Sequence, residues 1–407
     1  MRVLFISAHF PTDLRVKIHG VYKRMGLFID AIKGISSIDF LYYVPPNFDA
    51  SPERVAQIER TFTEHWQADV TLSFCHRSTH QHRLLRRPNH VPGALNFFEQ
   101  QPYKGVSGKL QVAALEACLE RKPDAVFAHR LQAMAPLMQT AKQLPPIYFD
   151  LDDIEHISLS RQIRQPAAYR KKGWGHSLYL PSLKRAELQA IRKAEHTFIC
   201  SERDRNYLTN DLNLPGVVTI PNAIQMPEPQ PLTEEPTLLF LGSYTYQPNV
   251  TAADFLVEKV WPHIYKAIPK ANLMIAGAFP EKIRSYTTPP LGVKFTGFVD
   301  DLALLYQKTR VVCCPILSGS GTRVKLIEAA AYGKPIVSTR IGAEGLALED
   351  GESIFLRDAP NTFAEAVIEL LNNKDLSQRF GTTAYATARK QYDRRQIVQQ
   401  IQRYLQP

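Results

Sequence analysis

No apolar run in this 407-residue chain approaches the roughly 18 to 20 residues that a membrane-spanning helix needs. Cysteine is scarce as well. The five residues, Cys75, Cys118, Cys200, Cys313 and Cys314, form no CxxC pair and no zinc-like spacing, and their odd count argues against a disulfide framework. Cys313 and Cys314 fall in an apolar run, where a buried thiol is the expected state. Low-complexity tracts and short-period repeats are missing too, and the composition does not suggest disorder. The N-terminus, Met1-Arg2-Val3-Leu4-Phe5-Ile6-Ser7, has one basic residue and an apolar run of four, too short for the core of a secretion signal. It reads as a buried strand, and the expected location is the cytoplasm.

What the chain does have is length, basic charge and a repeated strand pattern. At 44% hydrophobic residues it is long enough for two ordinary domains, each with its own core. The net charge of +10 is concentrated early: residues 1–222 hold 29 Lys plus Arg against 21 Asp plus Glu. Residues 161–193 contribute Arg161, Arg164, Arg170, Lys171, Lys172, Lys184, Arg185, Arg192 and Lys193, with Glu187 as the one acid. Apolar Trp174, Leu178, Tyr179, Leu180 and Leu183 sit among them. This is the composition of a surface that docks on anionic lipid, and equally that of a plain solvated basic face. No RNA- or DNA-binding motif accompanies the charge, so nucleic acid is not the expected partner.

Short continuous apolar runs recur along both halves, each followed by an amphipathic helical stretch. They are residues 3–6, 40–44, 125–128, 147–149, 197–200 and 217–220, then 238–241, 273–276, 293–295, 311–314, 336–338 and 354–356. Runs without alternation suit strands covered on both faces, as in the parallel sheet of an α/β domain. Two such series imply two doubly wound domains. Between them, Pro221, Pro227, Pro229, Pro231 and Pro236 rule out a helix or a central strand and read as a stiff linker. Near the end, Ile397, Ile401 and Leu405 fall on one helix face.

The densest chemistry lies after the run Val311–Cys314. The loop Gly319-Ser320-Gly321-Thr322 leads into a helix that carries Arg323, Lys325 and Glu328. Glycines there let the backbone approach a ligand, and the helix start offers free N–H groups to an anion. Thr322 is the expected N-cap, with Arg323 and Lys325 adding full positive charge. A surface salt bridge between Lys325 and Glu328 is the plainer reading of that pair. The cluster Asp150, Asp152, Asp153, Glu155 and His156 could hold a divalent cation, but a loop-capping or acceptor-side role is expected and no metal site is assigned.

The stretch Gly319-Ser-Gly-Thr-Arg-Val-Lys-Leu-Ile-Glu-Ala-Ala-Ala-Tyr-Gly-Lys-Pro-Ile-Val-Ser-Thr, with Ile341-Gly-Ala-Glu-Gly-Leu346, resembles the donor-binding motif of family 4 glycosyltransferases. Leu239-Phe-Leu-Gly-Ser243, Gln247-Pro-Asn249 and Thr296-Gly-Phe-Val-Asp-Asp-Leu302 follow the same family's order. In the first half, Pro123-Asp-Ala-Val-Phe-Ala-His129, Ser201-Glu202 and Ile220-Pro-Asn222 are similar to it. The resemblance implies the GT-B fold, with two Rossmann-like doubly wound domains facing across a cleft. Residues 1–222 would be the acceptor-side domain, 223–236 the linker and 237–385 the nucleotide-sugar domain. Residues 386–407 would form a helix packing back on the first domain.

It also implies sugar transfer, with retention, from a nucleoside diphosphate sugar (UDP or GDP) to a glycan or lipid-linked acceptor hydroxyl. No metal or other cofactor is implied, and a peripheral position at the membrane's inner face would suit the basic 161–193 region. By the same resemblance His129, Arg323 and Lys325 are the catalytic candidates. Gly20, Phe298, Val299, Gly319, Ser320, Gly321, Thr322, Glu328 and Glu344 would bind the donor, with Glu328 on the ribose and Phe298–Val299 along the base. For Phe298, core packing is the competing reading. The family usually has a glutamate eight positions before the ribose-binding one; here that position is Ser320. Basic residues usual after the first strand of the second domain are missing from Gly242 to Asn249, and Arg323 with Lys325 would replace them. An epimerase or hydrolase of the same fold, or a catalytically weak scaffold, are the alternatives.

Overall fold

In a computed structural model, residues 1–11, 14, 20–78, 104–164, 177–178 and 180–406 are described. The chain forms two compact units: Met1–Ile220 together with the chain from Ile397 onward, and Pro221–Gln396.

The first unit is built on seven strands: β1 (Arg2–Ser7), β2 (Ser37–Val44), β3 (Val70–His76), β4 (Ala125–His129), β5 (Ile147–Asp152), β6 (His196–Ile199) and β7 (Val217–Thr219). Their order is β3-β2-β1-β4-β5-β6-β7, paired in parallel throughout. β1 and β4 are buried along almost their whole length, as helices on both faces require. β3 is the strand that the apolar runs do not announce. It sits at the sheet edge with Val70 and Leu72 buried and the intervening Thr71 and Ser73 only partly so, an alternating pattern rather than a continuous run. Register sets Ser7 opposite His129, and His129 opposite Asp150, in one row at the strands' C-terminal ends. The helix Gly20–Lys33 packs Phe28 against Phe127, with ring centroids 4.8 Å apart. From the far end of the chain, the helix Arg394–Leu405 buries Ile397, Ile401 and Leu405, and Tyr404 meets His196 edge-on at 5.3 Å.

The second unit repeats the plan with β8 (Thr237–Leu241), β9 (Asn272–Ala276), β10 (Val293–Gly297), β11 (Val311–Cys314), β12 (Ile336–Ser338) and β13 (Phe355–Leu356), again parallel, in the order β10-β9-β8-β11-β12-β13. Each sheet therefore reverses direction once, between β1 and β4 and between β8 and β11. In open parallel sheets such a reversal opens a crevice at the carboxyl ends of the strands, where ligands bind. The proline-rich stretch is fastened along the second unit: Gln230 N–H donates to the Tyr332 carbonyl (3.0 Å), Lys334 Nζ to the Pro231 carbonyl (2.7 Å) and Arg310 Nη1 to the Thr233 carbonyl (3.0 Å).

Among the described residues, no helix is long and apolar enough to cross a membrane. In the basic region, Arg161 and Arg164 end the helix Glu155–Arg164, and Lys184, Arg185, Arg192 and Lys193 lie on the helix Leu180–Lys193. Arg170, Lys171, Lys172, Trp174 and Tyr179 lie outside the described residues. Leu178 is exposed, whereas Leu183 is buried.

Candidate active site

The loop after β11 takes its shape from glycine. Gly319 (φ 116°) and Gly321 (φ 72°) occupy backbone conformations that side chains resist. A Cβ on Gly319 would also stand 3.0 Å from Arg323 Nη2 and 3.1 Å from the Tyr246 hydroxyl. The helix then runs Val324–Ala331, with Arg323 rather than Thr322 at its cap position and no side chain capping it. Thr322, the expected cap, instead accepts a hydrogen bond from Asn222 Nδ2 at its Oγ1, at 2.8 Å. Without a side-chain cap, the helix's first N–H groups remain available to an anion.

Arg323 is nearly buried and folds back on its own loop. Its Nη1 donates to the carbonyls of Ser320 (2.5 Å) and Gly321. Lys325 reaches the other way, across to the end of β8. Its Nζ donates to Asn249 Oδ1 at 2.8 Å and lies 4.7 Å from the centre of the Phe240 ring. Burial pushes this amine down to about 8, with Arg323 adding to the effect and Cys314 and Glu328 opposing it. Asn249 is itself buried, in the helix Gln247–Phe255, and its Nδ2 donates to the Ser243 carbonyl at 2.8 Å. The sequence pattern named Asn249 only as part of a motif; its hydrogen bond to the lysine comes from the fold.

The floor of this region is backbone. Gly277 N–H donates to the Gly297 carbonyl (2.7 Å) and Gly242 N–H to the Ala276 carbonyl (3.0 Å), joining the ends of β8, β9 and β10. At Gly277 (φ 131°) a Cβ would fall 1.8 Å from the Gly242 carbonyl oxygen, so only glycine fits. On Gly242 it would lie 2.8 Å from Asn249 Nδ2 and 3.0 Å from Lys325 Nζ. Glu328 is nearly buried beside the stacked Tyr306 and Tyr332 rings, whose centroids are 4.3 Å apart. Burial raises the Tyr306 phenol well above its usual range, and the Glu328 charge adds to it. Phe298, just past β10, is 46% exposed, which excludes the core-packing reading. Val299 is half-buried beside it. Glu344 is half-buried in a turn tied to the loop after β11: Gly342 N–H donates to Thr339 Oγ1 (2.9 Å), whose hydroxyl donates to the Ile316 carbonyl.

His129 belongs to the first unit's own switch point. It is fully buried, its Nδ1 is 3.0 Å from Ser7 Oγ, and its Nε2 is 3.9 Å from Asp150 Oδ2. Burial drives this imidazole well below the usual histidine range. Asp150 in turn meets Arg24, which is buried in the first helix: Arg24 Nε donates to Asp150 Oδ1 at 2.8 Å and Nη1 to the Ile220 carbonyl at 2.9 Å. Arg130 pairs with Asp152 and stands 3.9 Å from Asp153. His156 pairs with Glu187, which also accepts from the backbone N–H groups of Glu155 (2.7 Å) and His156 (3.2 Å). The acidic cluster is thus divided among cationic and capping partners, and among the described residues no group of His, Cys, Asp or Glu is arranged to hold a metal. Gly20 is the exposed first residue of its helix; Arg15, Lys17 and His19 before it lie outside the described residues.

Residues 235–373 match the family described as Glycosyl transferases group 1. Phosphatidyl-myo-inositol mannosyltransferase of Mycobacterium leprae is 31% identical over 173 residues, covering 41% of this chain and 45% of that one. The chain spans a little under half the length of the curated relatives it matches. In fold the likeness covers almost everything. Sucrose-phosphate synthase of Thermosynechococcus elongatus superposes with a TM-score of 0.70 at 15% identity, over 99% of this chain and 98% of that one. Anabaena HepE, solved with UDP-glucose, gives 0.63 at 14% identity over 100% and 99%. The fold is that of the GT-B glycosyltransferases, two Rossmann-like units in one chain.

Proposed function

We propose that this chain, whose residues 235–373 match the group 1 glycosyl transferases, transfers a sugar from a nucleoside diphosphate sugar to an acceptor hydroxyl. One observation carries the reading. At the switch point between β8 and β11, a half-buried lysine held by Asn249 and a nearly buried arginine stand beside an uncapped helix start. When the anomeric C–O bond breaks, its electron pair passes to the diphosphate. Lys325, Arg323 and the first N–H groups of the helix would meet that charge as it develops, where desolvated donors are worth most. Glu328 would accept hydrogen bonds from the ribose hydroxyls, and the exposed Phe298 with Val299 would border the base. Gly319, Ser320, Gly321 and Thr322 would line the phosphates, and Glu344 the sugar side. His129 stays a catalytic candidate and Gly20 a donor-binding one.

UDP is the favoured donor nucleotide, with GDP next, since HepE was solved with UDP-glucose and other relatives are mannosyltransferases. A glycan or lipid-linked acceptor, retention of configuration and a location at the inner face of the membrane complete the proposal. No metal enters it, because Arg323 and Lys325 supply the positive charge. An epimerase or hydrolase would convert donor without acceptor, which product analysis distinguishes. Arg323→Ala and Glu328→Ala should each lower transfer by about 100-fold in assays over UDP-, GDP- and ADP-sugars. Transfer that survives both substitutions at the native rate overturns the assignment of the site.

A further inference from the structure

We infer that Asn249 is a positioning residue that aims and holds the charged amine of Lys325; this rests on the proposed transfer reaction. The observations form a short relay. The Ser243 carbonyl accepts from Asn249 Nδ2 at 2.8 Å, which fixes the orientation of the amide. Its Oδ1 therefore faces Lys325 Nζ, also at 2.8 Å. The backbone closes the space around this pair, because a Cβ on Gly242 would collide with both partners. On its remaining side the amine lies over the Phe240 ring face, an arrangement that favours a cation.

A neutral amide suits this task better than a carboxylate would. It holds a long, flexible side chain in one place without cancelling its charge, so the full ammonium stays available to a leaving diphosphate. The charged or titratable groups around the amine are Arg323 and Glu328 from its own segment and Cys314 from β11. Asn249 comes from a different helix, Gln247–Phe255, which hydrophobic contacts anchor through Val250, Ala252 and Ala253. Lys325 thus delivers its charge to the end of β8, into a segment from Gly242 to Asn249 that has no basic residue of its own.

The test compares Asn249→Leu, Asn249→Asp and Lys325→Ala, using UDP-glucose first and then GDP- and ADP-glucose, over a pH series. Leucine removes the acceptor, so kcat should fall by about tenfold or more with a smaller change in KM. The alkaline limb of the profile should move to lower pH, because the ammonium loses its partner. Aspartate should move that limb upward, since a carboxylate beside the amine favours its protonated form. Opposite displacements are not a result that general loosening of the fold produces, and either variant alone reports should the other fail to fold. If both variants keep the wild-type limb and stay within about twofold in kcat while Lys325→Ala is impaired, the positioning role is wrong and the reaction stands. If Lys325→Ala itself transfers sugar at the native rate, the functional reading falls and this inference with it.

Discussion

His129 has a cost in acid that its surroundings make measurable. The ring is fully buried and kept neutral in the folded chain, with burial the largest cause and the neighbouring His9, Arg130 and Arg24 next. In the unfolded chain the same imidazole titrates near 6.5. Its folded value is lowered, so the stability it contributes is complete above pH 6.5 and is lost as pH falls toward the folded value. One proton corresponds to about 1.4 kcal/mol per pH unit. Asp150, raised to about 6 by burial against the pull of Arg24, acts with the opposite sign, so the raw acid limb mixes the two. The difference between wild type and His129→Gln in urea unfolding isolates the histidine, and it should shrink steadily below pH 6.5. A pH-independent difference would contradict a buried, neutral ring. At this scale the sequence was partly legible. Lys325 and Glu328 stood out by charge and spacing. The roles of Asn249, Asn222 and Arg24 did not, because each depends on a partner that only the fold brings near.

At the scale of elements, the strands with two covered faces announced themselves as apolar runs, since both faces of a central parallel strand must be greasy. β3 lies at an edge, alternates, and escaped that rule. Helix boundaries were less legible: Thr322 has the chemistry of a cap, but its hydroxyl is bonded to Asn222 and the cap position falls one residue later, at Arg323. The helix Leu180–Lys193 shows how an element's two faces serve different ends. Its inner face buries Leu183, Ala186, Ala190 and Ile191, and the same face directs Glu187 inward to cap the helix Glu155–Arg164. The one acid of the 161–193 region is therefore withdrawn from the surface, while Lys184, Arg185, Arg192 and Lys193 are not among the buried residues. On the membrane location proposed above, such a face would gain about 1 kcal/mol per basic residue near an anionic surface. Co-sedimentation with vesicles containing phosphatidylserine should be strong at low salt and weaken as salt rises. Neutralising Lys184, Arg185, Arg192 and Lys193 together should abolish it, with no effect on neutral vesicles. Binding that ignores both salt and these substitutions would mean the face is merely solvated.

Among the described residues each unit has a hydrophobic core of its own, with members from Leu4 to Val217 in the first and from Ile224 to Tyr392 in the second. Units with their own cores have their own stabilities, so a ligand held by one of them should act on that one first. Several partners of the donor motif lie inside the second unit: Asn222 on Thr322, Asn249 and Phe240 on Lys325, and Tyr306 with Tyr332 beside Glu328. A nucleoside diphosphate without its sugar should therefore stabilise the second unit by mass action, by about 2.7 kcal/mol at 100 times its Kd. Hydrogen exchange read by mass spectrometry resolves where that stabilisation falls. With UDP or GDP added, exchange should slow in the helix Val324–Ala331 and around Gln247–Phe255. β1 and β4 of the first unit should exchange as they do in the free protein. Arg323→Ala should erase the protection, because the nucleotide then loses the guanidinium that meets its phosphates. Protection confined to the first unit, or persisting in the variant, would move the nucleotide away from the Gly319–Glu328 segment altogether.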